Sequence, residues 1–110
     1  MTPEPVTAEP ASVPDEAART QLAPRWNVVL LDDDDHTYEY VVRMLQVLFN
    51  HDLGTAYRMA VEVDTTGRVI VWTGHRELAE LKQDQIHDHG ADPLLKRSAG
   101  SMSAVIEPTP

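Results

Sequence analysis

The sequence predicts an α+β domain: a small three-stranded sheet packed by three helices, in the order strand-helix-helix-strand-helix-strand. Three observations carry that expectation. Apolar, β-rich runs occur at Trp26 to Leu31 and Arg68 to Thr73, with a shorter one at Met102 to Ile106. Two stretches with apolar residues at helical spacing separate the first two runs. A third such stretch separates the last two, so the helices segregate over a small sheet.

Trp26 to Leu31 is a short apolar run bounded by polar residues, as expected of a buried strand. It ends abruptly in four aspartates, Asp32 to Asp35, presented at the rim of the sheet. A helical pattern starts right after His36 and Thr37. Between Tyr38 and Phe49, residues Val41, Met44, Leu45, Leu48 and Phe49 recur on one face. Asp35, His36 or Thr37 starts this helix, and Glu39 suits its positive end. Asn50-His51-Asp52 is a polar break, with Asp52 placed to cap the next helix. There Leu53, Ala56, Tyr57, Ala60 and Val63 share a face, and Asp64-Thr65-Thr66-Gly67 ends it. Gly74 closes the second strand. His75 to His89 reads as the third helix, stopped by Gly90. Ala91 to Gly100 is a loop containing Pro93, and Pro108 and Pro110 follow the last strand.

Residues 1–24 form a separate regime. Five prolines scattered among Glu, Ala, Thr and Ser cannot bury enough apolar area to offset ordering entropy, so a disordered tail is expected. The folded part spans residues 25–107, and 108–110 form a C-terminal end. At 110 residues the chain accommodates one domain. A net charge of −9 argues against nucleic acid and favours positively charged partners. The absence of cysteine removes thiolate chemistry and fits a cytoplasmic protein. No apolar run reaches a membrane span, and no leader pattern is visible at the N-terminus.

The acidic run Asp32 to Asp35 has a bland reading, a solvated turn that caps a helix. It lacks the glycine and distal glutamate of a Ca²⁺ loop. It suits recognition of an ammonium group by carboxylates. A strand ending in Asp-Asp also looks like a phospho-acceptor receiver domain, but that family needs five alternating strand and helix units. The five histidines, His36, His51, His75, His87 and His89, form no metal pattern and read as surface and capping residues. No Gly-rich phosphate loop or serine elbow is present, so no catalytic residues and no cofactor are expected.

From Asn27 to Gly67 the strand, acidic turn, paired helices and glycine resemble the ClpS adaptor family. The resemblance covers roughly Arg25 to Leu81, with a weaker match at Met102 to Glu107. It implies a small α+β domain, similar to the C-terminal domain of the ribosomal stalk protein. It also implies a non-catalytic adaptor that carries proteins with a bulky apolar N-terminal residue to the N-terminal domain of a Clp-type AAA+ unfoldase. The family's strand-end signature, Asn-Asp-Asp, one residue, then Thr-Pro-Met-Glu, reads here as Asp32-Asp33-Asp34-Asp35-His36-Thr37-Tyr38-Glu39. Asp33, Asp34 and Glu39 hold. The ligand asparagine corresponds to Asp32, the threonine to His36, the proline to Thr37 and the pocket methionine to Tyr38. The family's amine-binding histidine falls at Asp64, with Gly67 kept three residues later. Its second pocket methionine falls at Ala60, while Val41 and Val63 stay apolar.

The resemblance therefore implies amine binding by Asp32, Asp33 and Asp64. The pocket it implies is lined by His36, Tyr38, Val41, Ala60, Val63 and Met102. Unfoldase docking falls to Glu77 and Lys82, and the N-terminal tail would help engage the unfoldase. Two amine-holding groups have become aspartates, so the site reads as an ammonium site rebuilt with carboxylates. A changed ligand, such as a basic N-terminal residue or a divalent metal, is the competing reading. A paralogue that docks on the unfoldase without recognising an N-terminus is a third.

Overall fold

The computed structural model describes residues 24–110; the tail expected over 1–24 lies outside them except for Pro24. The elements appear in the expected order. They are β1 (Trp26–Leu31), α1 (Tyr38–Phe49), α2 (Leu53–Thr66), β2 (Arg68–Gly74), α3 (Arg76–His87) and β3 (Ser103–Pro108). β1 is central, and both β2 and β3 pair with it antiparallel. This three-stranded antiparallel sheet removes the receiver-like reading, which requires alternating units on a larger sheet.

The caps explain where the helices begin and end. The Thr37 hydroxyl accepts from the Tyr40 amide at 3.2 Å, which singles it out from the three candidate starts of α1. Asp52 caps α2 by accepting from the Thr55 amide at 2.7 Å. Asn50 (φ 58°) and Gly67 (φ 92°) turn left-handed at the ends of α1 and α2, satisfying the last carbonyls. Several boundaries differ from the sequence expectation. His75 is the N-cap of α3 rather than its first residue, and α3 stops at His87. β3 runs from Ser103 through Pro108, and the Thr109 amide donates to the Arg25 carbonyl at 2.7 Å. The last prolines thus stay attached to the sheet.

One face of the sheet builds the core. Val28 and Leu30 are fully buried, with Val69, Val71 and Ala104 beside them. Met44 and Leu45 of α1, Ala60 and Val63 of α2, and Ala79 and Ile86 of α3 close over this face. Between Val28 and Val29 the register slips, because β2 carries one extra residue, Val71. The slip lets Val71 and the partly buried Trp72 both pack on the core. On the opposite face a salt bridge joins Arg68, opposite Leu31, to Glu107, opposite Asn27, at 2.6 Å. Its diagonal crosses the position of Val29, which is fully buried.

His75 is exposed at the N-cap of α3, as the sequence suggested, but three other histidines also join or pack on neighbouring elements. His51 donates to the Val71 carbonyl at 2.8 Å, tying the α1–α2 turn to β2. His87 accepts from the Ala104 amide at 3.1 Å, tying α3 to β3. His89 stacks edge-on against Tyr40, and burial pushes its pKa down.

Candidate functional site

The acidic turn that leaves β1 meets the C-terminal end of α2. The Asp32 amide donates to the Gly67 carbonyl at 3.0 Å. Gly67 can present that carbonyl because its left-handed backbone ends α2 there. Asp64 lies in the last turn of α2. Burial, and next the Asp64 charge, push the Asp32 carboxyl above the usual range. The Tyr38 hydroxyl, on the first residue of α1, donates to Asp64 Oδ2 at 2.6 Å. That bond first, and burial second, raise the phenol pKa to about 12. The Tyr38 ring meets Tyr57 edge-on, with centroids 5.9 Å apart. Among the described residues, no basic side chain forms an ion pair with Asp32 or Asp64.

The rest of the aspartate run faces a different neighbour, the loop after α3. Asp33 Oδ1 accepts from the Asp35 amide at 2.9 Å and meets His36 Nδ1 at 2.7 Å. His36 Nε2 in turn donates to the Gly100 carbonyl at 2.7 Å, and the ring packs on Tyr40. Arg97 donates to the Asp34 carbonyl and to Asp35 Oδ1. Asp92, only 2% exposed, accepts from the Thr37 amide at 2.6 Å and the Leu94 amide at 2.8 Å. Burial pushes its carboxyl up, but these bonds together outweigh that and hold it below the usual range. The Tyr40 hydroxyl donates to the Gly90 carbonyl, fastening the start of the same loop to α1.

Asp32, Asp64 and Tyr38 therefore come together. Asp33 borders them, since its charge also raises Asp32, but its Oδ1 is engaged within the turn. His36 stands apart: its side chain is 3% exposed and bridges Asp33 to the 98–100 segment. Val41, Ala60, Val63 and Met102 are 4%, 1%, 2% and 2% exposed and belong to the closed core, against which Tyr38 packs. A cavity of about 770 Å³ adjoins Tyr38 and is lined also by Val42, Arg43, Leu53, Tyr57 and Leu94. Of the six expected pocket residues, Tyr38 alone lines it. Glu77 is exposed in the first turn of α3. Lys82 is half-buried, donating to the Leu48 carbonyl at 2.7 Å beside the Phe49 ring. It satisfies the end of α1, a role the sequence reading did not foresee. Sequence reasoning also missed Asp92 and Arg97. The Asp92-Pro93 pair, a turn signal between two glycine-marked boundaries, was the one cue to the first. No group of three or more side chains able to hold a metal ion occurs among the described residues. No helix there is long and apolar enough to cross a membrane.

Residues 21–95 match the family model described as ATP-dependent Clp protease adaptor protein ClpS. The chain is 36% identical over 75 residues to the ATP-dependent Clp protease adapter protein ClpS of Xanthomonas oryzae pv. oryzae (strain MAFF 311018). The aligned part covers 66% of this chain and 71% of that one. The same figures hold for the protein of that name from Xanthomonas axonopodis pv. citri (strain 306). The structure of Agrobacterium tumefaciens ClpS2 bound to L-phenylalaninamide superposes with a TM-score of 0.68 at 26% identity. That match covers 78% of this chain and 98% of the Agrobacterium chain. Fold and sequence agree on the class, a small α+β adaptor domain. The chain belongs to the ClpS family, the adaptor proteins of the ATP-dependent Clp protease.

Proposed function

We propose that this adaptor receives protein N-termini through a carboxylate-rich amine site and delivers them to the N-terminal domain of a Clp-type AAA+ unfoldase. Asp32 and Asp64 accept from the α-ammonium, and Tyr38 borders the first side chain. One observation carries this reading: two neighbouring carboxylates that lack a cation partner among the described residues, one of them destabilised by the other's charge. A cation binding between them relieves that repulsion and gains charge-assisted hydrogen bonds. The Agrobacterium relative supports it, since L-phenylalaninamide combines a free α-amine with a large apolar side chain. Asp33 is placed beside the ligand set, because His36 and the Asp35 amide already occupy its Oδ1. Glu77, exposed on α3, is the better of the two docking residues, as Lys82 is engaged by α1. The adaptor works in the cytoplasm, carries no reaction of its own and binds neither nucleic acid nor membrane.

The test compares peptides beginning with Phe, Leu, Arg or Met, each with a free or an acetylated N-terminus. Acetylation removes the charge, so free peptides bind and acetylated ones do not. Equal binding of the two forms overturns the ammonium site. The tight packing of Val41, Ala60, Val63 and Met102 favours one alternative, an adaptor that docks without holding a chain start. Absence of binding by the whole panel, together with capture of the unfoldase, selects it.

A further inference from the structure

The amine site offers two carboxylates, yet one of them is already engaged. Asp64 Oδ2 accepts from the Tyr38 phenol at 2.6 Å, within the range of a strong bond to an ionised acceptor. An ammonium entering between Asp32 and Asp64 meets the phenol as a competitor for the same oxygen. Tyr38 also packs against the cluster that contains Val41, Ala60, Val63 and Met102, so the ring closes the apolar wall as well.

Two features let the ring leave. Tyr38 is the first residue of α1, so no preceding helical turn restricts its side chain. The roughly 770 Å³ cavity adjoining Tyr38, walled by Val42, Leu53, Tyr57 and Leu94, has room for a phenol ring. The ring already meets Tyr57 edge-on at the border of that cavity, and the exposed Leu53 and Leu94, at 63% and 58%, gain cover as it moves further in.

We propose that Tyr38 is a gate: its hydrogen bond to Asp64 closes the amine site, and its ring swings into the cavity beside α1 when a chain start enters. The proposal rests on the amine-binding reading given above. In this arrangement Tyr38 sets specificity by exclusion. A ligand must supply an ammonium that replaces the phenol at Asp64, together with a first side chain that replaces the ring against the apolar wall. The apparent affinity equals the intrinsic affinity multiplied by the fraction of molecules with the gate open.

The test uses the full chain and its Tyr38→Phe variant, which keeps the ring and removes the donor. The probes are a fluorescein-labelled peptide beginning with Phe and its N-acetylated twin, followed by anisotropy and stopped flow. The expected result is about fivefold tighter binding of the free peptide by Tyr38→Phe. The gain falls in the association rate, with the dissociation rate unchanged within about twofold. In the wild type, the ring-carbon NMR signal of Tyr38 shifts when the free peptide is added and stays in place with the acetylated one. Equal or weaker binding by Tyr38→Phe overturns the gate, while loss of binding on acetylation leaves the amine site standing. Equal binding of both peptides, or none by either protein, overturns gate and amine site together.

Discussion

The two halves of one acidic turn behave in opposite ways. The Asp33 and Asp35 carboxylates are held by the protein's own donors, His36, the Asp35 amide and Arg97, and Arg97 also reaches the Asp34 backbone carbonyl. Asp32, at the other end of the run, meets Asp64 across the end of α2 and has no basic partner among the described residues. Residues of one chemical type at adjacent positions thus divide into anchors and available acceptors. What divides them is the element each half faces: the loop after α3 on one side, the C-terminal turn of α2 on the other.

Removing the anchor with the deepest burial gives the largest effect. Asp92→Ala leaves the Thr37 and Leu94 amides without their acceptor, and about 2–3 kcal/mol of stability is lost in urea unfolding. Because the Asp92 pKa is depressed in the fold, the wild type loses this contribution as pH falls below about 4, and the variant shows a flatter acid limb. On the available side, Asp64→Ala leaves stability nearly unchanged but weakens a free-amine peptide about tenfold, as titration by anisotropy will read. A comparable loss of stability in that variant would erase the distinction between the halves. The same peptide should bind best between about pH 5 and 8. Above that window its α-amine loses its proton, and below it Asp32, whose pKa is raised, takes one up. Gly67→Ala meets no neighbour within 4 Å, so its cost, about 1 kcal/mol in thermal unfolding, comes from the left-handed backbone alone. Arg97→Ala has the smallest effect: the pair is mostly exposed, and both stability, within about 0.5 kcal/mol, and peptide binding stay unchanged.

The order and type of every element were legible because each rests on local signals. The apolar run of β1, the Asp52 cap and Gly67 act within a few residues of themselves. Membership of the adaptor family was legible for the same reason, since its signature is contiguous around the acidic turn. The roles within that turn were not. Asp33 reads like Asp32 until the 98–100 segment brings the Gly100 carbonyl against His36, 64 residues away. Asp92 holds the start of α1 from 55 residues further on, a separation no periodicity encodes. Lys82 was read as a docking residue because it falls at a position to which the resemblance assigns docking; only the packing of α3 against α1 shows it reaching the Leu48 carbonyl. Tyr38 was legible as bordering a pocket, but not as the donor that occupies Asp64.

The extra residue Val71 has a bearing beyond the core it fills. A sheet of three strands leaves two of them with unpaired outer edges, the places where foreign chains add on and aggregates begin. The bulge twists one of those margins, while Pro108, which has no amide hydrogen to offer, closes the end of the other. This adaptor domain is thereby poorly suited to recruiting an extended foreign chain as a fourth strand.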